Sequence, residues 1–270
     1  MIIRLITLGL VCAVCSSTQG IVVYSDFSDT SGLVLNGAAA SVDNGTDGVV
    51  LRLTPASGNQ AGSIFSSDLV DATNFSTTFS FRFTESGGTL FDGNTETGAD
   101  GMVFVVQPVS SSLGGLGQGI GFTGITPAVG VEFDTWHNSA NNDPSSNHLG
   151  IDLNGSVNHG VDMLYTVDVS PDFNNGDRWF AWIDYDGAIL EVRVSQTTTR
   201  PTDAQLTRDL IIPDIIGQDT AYIGFTAATG ADWNNHDLID WTYDEFNPIP
   251  QPAAVSTLLV AAVLCLRRRV

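Results

Sequence analysis

The chain alternates short runs of apolar and polar residues with clusters of glycine, asparagine and aspartate. Period-two alternation runs through STTFSFRFT (76–84), GMVFVVQPV (101–109) and VGVEFDTW (129–136), and it recurs in TAYIGFTAA and HDLIDWTYDEF near the end of the body. Alternation of this period puts one face of an extended strand on a core and the other elsewhere. RWFAWIDYDGAILEVRV (178–194) predicts a hairpin with Asp186-Gly187 at its turn. Helical periodicity is scarce. Many short strands between Gly/Asn loops predict an all-β antiparallel sandwich; a barrel fits less well, because strand lengths vary and some runs are apolar on both faces. Residues 21–247 read as one domain, with no Pro/Ser linker and no internal repeat.

One segment breaks the pattern. VGVEFDTWHNSANNDPSSNHLGIDLNG begins as a buried strand, yet it carries Glu132 and Asp134 among apolar residues. In a strand, Glu132, Asp134 and Trp136 share a face, and Val131, Phe133 and Thr135 share the other. Carboxylates on a packed face need hydrogen bonds, cationic partners or metal. Asn138 and Asp143 follow in the loop, and His148 opens the next strand beside the carboxylates. Carboxylates with a neutral imidazole suit a transition metal such as manganese. Asp134, Asn138, Asp143 and a backbone carbonyl near Trp136 make an all-oxygen set suited to calcium. Asp134 and Asp143 would bridge both ions. The bland alternative is a solvated loop with an ordinary strand histidine. Five ligand-type residues that start inside an apolar strand weigh against it.

The spacing Glu-x-Asp-x3-Asn-x4-Asp-x4-His, with VEFDT and HLGID around it, resembles the metal signature of legume-type (L-type) lectins. The resemblance extends over VLRLTPASGNQAGSIFSS, FSTTFSFRF, GADGMVFVVQ and GFTAATGADWNNHDLIDWTYDEF. It implies a concanavalin A-like β-sandwich, or jelly roll. It implies that Glu132, Asp134, Asp143 and His148 hold Mn2+ or another transition metal. It implies that Asp134, Asn138, Asp143 and the carbonyl of Trp136 hold Ca2+.

The resemblance also supplies a sugar site. Asp100, in Ala99-Asp100-Gly101, is implied to accept sugar hydroxyls after a cis Ala–Asp bond that the metals help to hold. Asn138 is implied to serve both calcium and sugar. Gly119 is the implied N–H donor from LGGLGQGIGF, with Gly117 the next register. Ala231 N–H and Asp232 are the implied contacts of the 230–235 loop. Trp233 would stack on a pyranose or pack on the domain, and Trp136 or His137 would give an aromatic platform. Trp179, Trp182 and Trp241 are expected in the core.

Charge and the two ends refine this reading. Acidic residues number 30 against 10 arginines, with no lysine. That balance excludes nucleic acid as a partner, since phosphates need basic groups. Residues 1–20 have the layout of a secretory signal peptide: Arg4, an apolar run, then small residues. In 248–270, Pro248, Pro250 and Pro252 precede an apolar run and Arg267, Arg268 and Arg269. The run, Ala253 to Leu266, is 14 residues, short of the roughly 20 a membrane span needs. The layout resembles a PEP-CTERM sorting tail of exported bacterial proteins, with Gln251 where glutamate is usual. The expectation is export and cell-surface or outer-membrane association, with the membrane reached only through this tail. Cys12, Cys15 and Cys265 all lie in the end segments, leaving the body without a disulfide.

Two other functions compete. Glycan hydrolases of this architecture use Glu-x-Asp-x-(x)-Glu on one strand. Glu132-x-Asp134 starts that pattern, but Trp136 and His137 occupy the places of the second glutamate. A structural surface or matrix protein that binds no sugar is the other. The reading favoured is reversible, metal-dependent carbohydrate binding without chemistry, with edge-to-edge homo-oligomers left open.

Overall fold

The computed structural model describes residues 22–89, 97–109, 114–160 and 163–244. The segment 1–20 expected to be a signal peptide and the tail 248–270, with all three cysteines, lie outside the described residues.

Two antiparallel sheets face each other, as the alternation predicts. One runs in the order Leu206–Asp209, Ile189–Ser195, Trp179–Tyr185, Phe75–Gly87, Trp233–Asp244, Val49–Thr54, Ala40–Asp43, with Val22–Tyr24 also paired to Trp233–Asp244. We call this the back sheet. The front sheet runs Thr166–Asp168, His148–Leu153, Val129–Asp134, Gly101–Gln107, Thr220–Ala228, Ala61–Ser66, Leu33–Gly37, with Val70–Asp71 on Thr220–Ala228. The expected hairpin forms, with Tyr185 opposite Leu190 and the Asp186 side chain accepting from Ala188 N and Ile189 N. Among the described residues the α-helix is the short segment Ile212–Ile216.

The main core lies between the sheets. Phe79 of the back sheet meets Phe225 and Phe133 of the front sheet at ring-centroid distances of 4.8 and 5.6 Å, and Trp241 packs on Phe225 at 5.1 Å. Tilted and edge-on aromatic pairs of this kind add about 0.5–1.5 kcal/mol each beyond their buried area. A second apolar cluster forms on the outer face of the front sheet. There Ile120, Phe122, Ile125 and Ala128 cover Phe65, Val103 and Val105. That cover pins the glycine-rich segment against the sheet, so the outer face is also dry where the carboxylates stand.

Each described arginine is committed to a partner. Arg52 forks onto Asp237 at 2.7 and 2.8 Å, and Arg82 onto Asp47 at 2.9 Å twice. Arg178 pairs with Asp240, and Arg193 and Arg200 share Asp184. Arg208 donates to the Ile151 carbonyl at 2.6 Å and lies 4.0 Å over the Tyr165 ring.

Candidate functional site

The acidic strand Val129–Asp134 lies between Gly101–Gln107 and His148–Leu153, and every residue in it is buried. Register sets the chemistry. Asp134 stands opposite Gly101 on one side and His148 on the other; Glu132 stands opposite Val103 and Gly150. His148, Gly150 and Asp152 share a strand face two residues apart, so the imidazole comes down beside the two carboxylates. Gly150 is what lets Glu132 in: a Cβ there would sit 2.3 Å from Glu132 Oε1.

The loop then folds its own ligand-type residues back. Trp136 N donates to Asp134 Oδ1 and Asn138 N donates to Asp143 Oδ2, both at 2.6 Å. Thr135 N donates to the Asp100 carbonyl at 2.9 Å, which ties this loop to the Ala99–Asp100 segment. At the far end, Asn147 Nδ2 donates to the Val169 carbonyl, and Asn147 Oδ1 accepts from Phe173 N.

Glu132, Asp134, Asp143 and His148, named from the sequence, are thereby brought together. One ligand atom from each of Asp134, Asp143 and His148 lies within 4.8 Å of the others. So does one from each of Glu132, His148 and His159. His159 was not anticipated. It follows the strand His148–Leu153 by a loop, outside the spacing that carried the other ligands. The signal that could have found it is compositional: three of the chain's four histidines, His137, His148 and His159, fall within 23 residues.

The charges in this cluster are strained toward a cation. Burial, then the carboxylates of Glu132 and Asp143, push Asp134 well above the usual carboxylate range. Burial likewise pushes Asp143 up to about 6. Burial also opposes ionisation of Glu132, but hydrogen bonds from His148 and His159 outweigh it and hold that group low. Among the described residues, the ion-pair partners of Glu132 and Asp143 are histidines. Glu132 Oε2 and Asn138 Oδ1 are buried without a hydrogen-bond partner. Buried anions with orphaned oxygens are costly unless a cation completes them, so the donor set fits bound metal cations.

A cavity of about 230 Å3 adjoins the cluster. Ala99, Asp100, Gly117, Gln118, Trp136, Asn138, Gly230, Ala231 and Asp232 form its walls. The Ala99–Asp100 peptide is cis. Asp100 is buried, its Oδ2 has no hydrogen-bond partner, and a Cβ on Gly230 would sit 3.2 Å from that oxygen. Burial, then the charges of Asp232 and Asp143, raise the Asp100 carboxyl to about 8; the Gly230 backbone works the other way. Asp232 is tied to the neighbouring segment by Thr89 N, which donates to its Oδ1 at 3.0 Å.

Asp100, Asn138, Ala231 and Asp232 thus meet at one cavity. Gly119 is not in its wall. The chain turns after Leu116, so Gly119 N donates to the Leu116 carbonyl at 3.1 Å, and Gly117 and Gln118 take the position at the rim. Trp136, not His137, reaches the cavity. Trp233 packs on the domain, with its indole against Gly58 and Gly87. Trp179 and Trp241 lie in the main core, as expected; Trp182 does not, because its strand position puts it on the outer face of the back sheet, where it stacks with Phe180 at 6.4 Å and is still covered.

A protein-family model described as "Legume lectin domain" matches residues 22–258. L-type lectin-domain containing receptor kinase VIII.1 of Arabidopsis thaliana is 31% identical over 209 residues, covering 75% of this chain and 27% of that protein. L-type lectin-domain containing receptor kinase SIT2 of Oryza sativa subsp. japonica is 37% identical over 122 residues, covering 42% of this chain and 18% of that protein. The chain therefore spans about a quarter or less of the length of these relatives. Among solved structures, basic winged bean lectin with Tn-antigen is 25% identical at a TM-score of 0.67, covering 83% of this chain and 97% of that one. The lectin from Bauhinia forficata in complex with GalNAc, at 23% identity and a TM-score of 0.67, shares the fold over 85% of this chain and all of that chain.

Proposed function

Because the chain belongs to the legume lectin domain family, we propose that it binds carbohydrate reversibly at the Asp100 cavity and depends on two metal ions to do so. The observation that carries this is the convergence of Asp100 Oδ2 and Asn138, both with oxygens left unpartnered, on one open cavity floored by glycine backbone. A sugar presents adjacent hydroxyls in fixed directions. A carboxylate accepts from two of them, an amide donates to a third, and glycine lets the ring approach the main chain.

Glu132, Asp134, Asp143 and His148 would hold the transition metal; Asp134, Asn138, Asp143 and the Trp136 carbonyl would hold calcium. The ions supply charge neutralisation. The chain's own groups do the positioning: Asp143 fixes Asn138 through its backbone N–H, and Thr135 fixes Asp100 through its carbonyl. Neither ion is assigned a sugar contact in this reading. Sugar choice falls to Gln118, Ala231 and Asp232 at the rim. The signal-like and tail segments support export and surface association as part of the same proposal.

A glycan array probed with and without chelator tests it. Retention of a glycan class that is lost with chelator and recovered with calcium plus a transition metal is expected. Silence across a broad array with the fold intact and metal bound would favour the structural-protein alternative. Release of reducing ends from a polysaccharide would favour the hydrolase.

A further inference from the structure

The cluster holds one ligand-type residue more than the reading above uses. We propose that His159 is a fifth protein ligand of the transition-metal site, and that the site selects a late first-row divalent ion, zinc or cobalt, over manganese. This rests on the two-metal reading and deepens it.

The geometry is specific. His159 Nε2 lies 2.7 Å from Glu132 Oε1 and 3.7 Å from Asp143 Oδ1. His148 Nε2 lies 3.1 Å from the same Glu132 oxygen. The planes of the two imidazoles stand at 89° with centroids 5.3 Å apart, an edge-to-face arrangement in which the rings do not stack. His159 is almost wholly buried, and Glu132 and His148 are fully so.

His159 is also held there by built contacts. Its N–H donates to the Asn141 carbonyl at 2.8 Å. The preceding residue, Asn158, accepts from Asn142 Nδ2 at 3.0 Å and donates to the Ala140 carbonyl at 3.3 Å. The loop that carries His159 is therefore strapped to the loop that carries Asn138 and Asp143. Behind the ring, Asp152 Oδ1 lies 3.8 Å from His159 Nδ1. At that separation Asp152 acts on the ring through charge rather than a hydrogen bond, and a nearby carboxylate raises the basicity of a metal-bound imidazole.

The donor set decides the ion. With one imidazole and three carboxylates the site is mostly hard oxygen and suits manganese. A second imidazole shifts it toward zinc, cobalt and nickel, and the general order of divalent affinities runs the same way.

The test uses the full-length protein stripped of metal, with calcium restored, then titrated with cobalt, zinc and manganese. X-ray absorption of the cobalt- or zinc-loaded protein counts bound imidazoles. Two are expected in the wild type and one in His159→Gln. The substitution should lower cobalt affinity tenfold or more, lower manganese affinity less, and leave calcium affinity unchanged. Asp152→Asn should lower cobalt affinity by a smaller factor while keeping both imidazoles. A wild-type count of one overturns the proposal, as does unchanged cobalt affinity in His159→Gln. Should His159→Gln fail to fold, the wild-type count still decides. A one-imidazole site on a protein whose glycan retention is chelator-sensitive would sink this inference alone. A two-imidazole site on a protein that retains no glycan would sink the sugar-binding reading alone.

Discussion

The backbone of Gly150 lies so close to Glu132 that a Cβ on it would sit 2.3 Å from Glu132 Oε1. The carboxylate–histidine cluster thus depends on a residue that contributes no side chain to it. Gly150→Ala should displace the Glu132 carboxylate. Transition-metal affinity should fall at least tenfold, and crowding in a packed site should cost about 1–3 kcal/mol of stability. Metal titration and urea unfolding read the two effects. Unchanged metal affinity would refute the dependence.

Asp100→Asn keeps the volume of the side chain but replaces one accepting oxygen with a donor. Hydrogen bonds to charged groups contribute about 1.5–3 kcal/mol, so glycan affinity should drop by roughly 10- to 150-fold. Metal content should stay at the wild-type level, because Asp100 is outside the ligand set. Binding to an immobilised glycan and elemental analysis check the two halves of this statement.

The raised carboxyls predict how the metal-free protein responds to pH. Asp100, at about 8, and Asp134 and Asp152, both well above their ordinary range because of burial first, hold protons in the folded state more tightly than in the unfolded one. Their contribution is full below the unfolded value and is lost as pH rises through the folded value. His236 acts in the opposite sense: burial lowers it to about 3 from 6.5, so its contribution is lost as pH falls below about 6.5. Between pH 6.5 and 8, above the range in which His236 acts, these carboxyls lower stability as pH rises. With chelator present, the melting temperature should therefore fall across that window. With calcium and a transition metal present it should not. A flat profile in chelator would count against the buried, uncompensated carboxylates.

Asp237 is fully buried and Arg52 is its forked partner. Arg52→Met leaves that buried carboxylate without its ion-pair partner in the back sheet, with the Asn44 Nδ2 hydrogen bond at 3.3 Å remaining. Removing one partner of a buried pair costs about 3–5 kcal/mol; since Arg52 is partly exposed, the lower end, about 3 kcal/mol, is expected. Chemical denaturation measures it, and metal affinity of the folded protein should be unchanged.

The sandwich was legible because alternation is a local property. Phe79, Phe81 and Phe83 fall on one face whatever the rest of the chain does. The carboxylate set was legible for a similar reason: Glu132 and Asp134 are two apart on a strand, and Asp143 and His148 return within one loop. What the sequence concealed is non-local or depends on the main chain. His159 reaches Glu132 only because Asn158 and its own N–H bind the loop at Ala140, Asn141 and Asn142. Gly119 and Gly117 are indistinguishable in a run of glycines until the turn after Leu116 fixes which one meets the cavity. Trp233 has the composition of a stacking platform, but the space left by Gly58 and Gly87 claims it for packing.

The commitment of every described arginine has a consequence for what the surface admits. Arg52, Arg82, Arg178, Arg193 and Arg200 are each neutralised by an aspartate, and Arg208 is turned inward onto a carbonyl and a ring. The described body carries no lysine. A sulfated or uronate-rich glycan approaching the cavity would meet Asp100 and Asp232 and find no loose cation to greet it. The acidic excess of the body should therefore disfavour polyanionic glycans at a distance set by ionic strength, so neutral glycans are the class expected to be retained on an array, and retention of sulfated glycans at low salt would refute this.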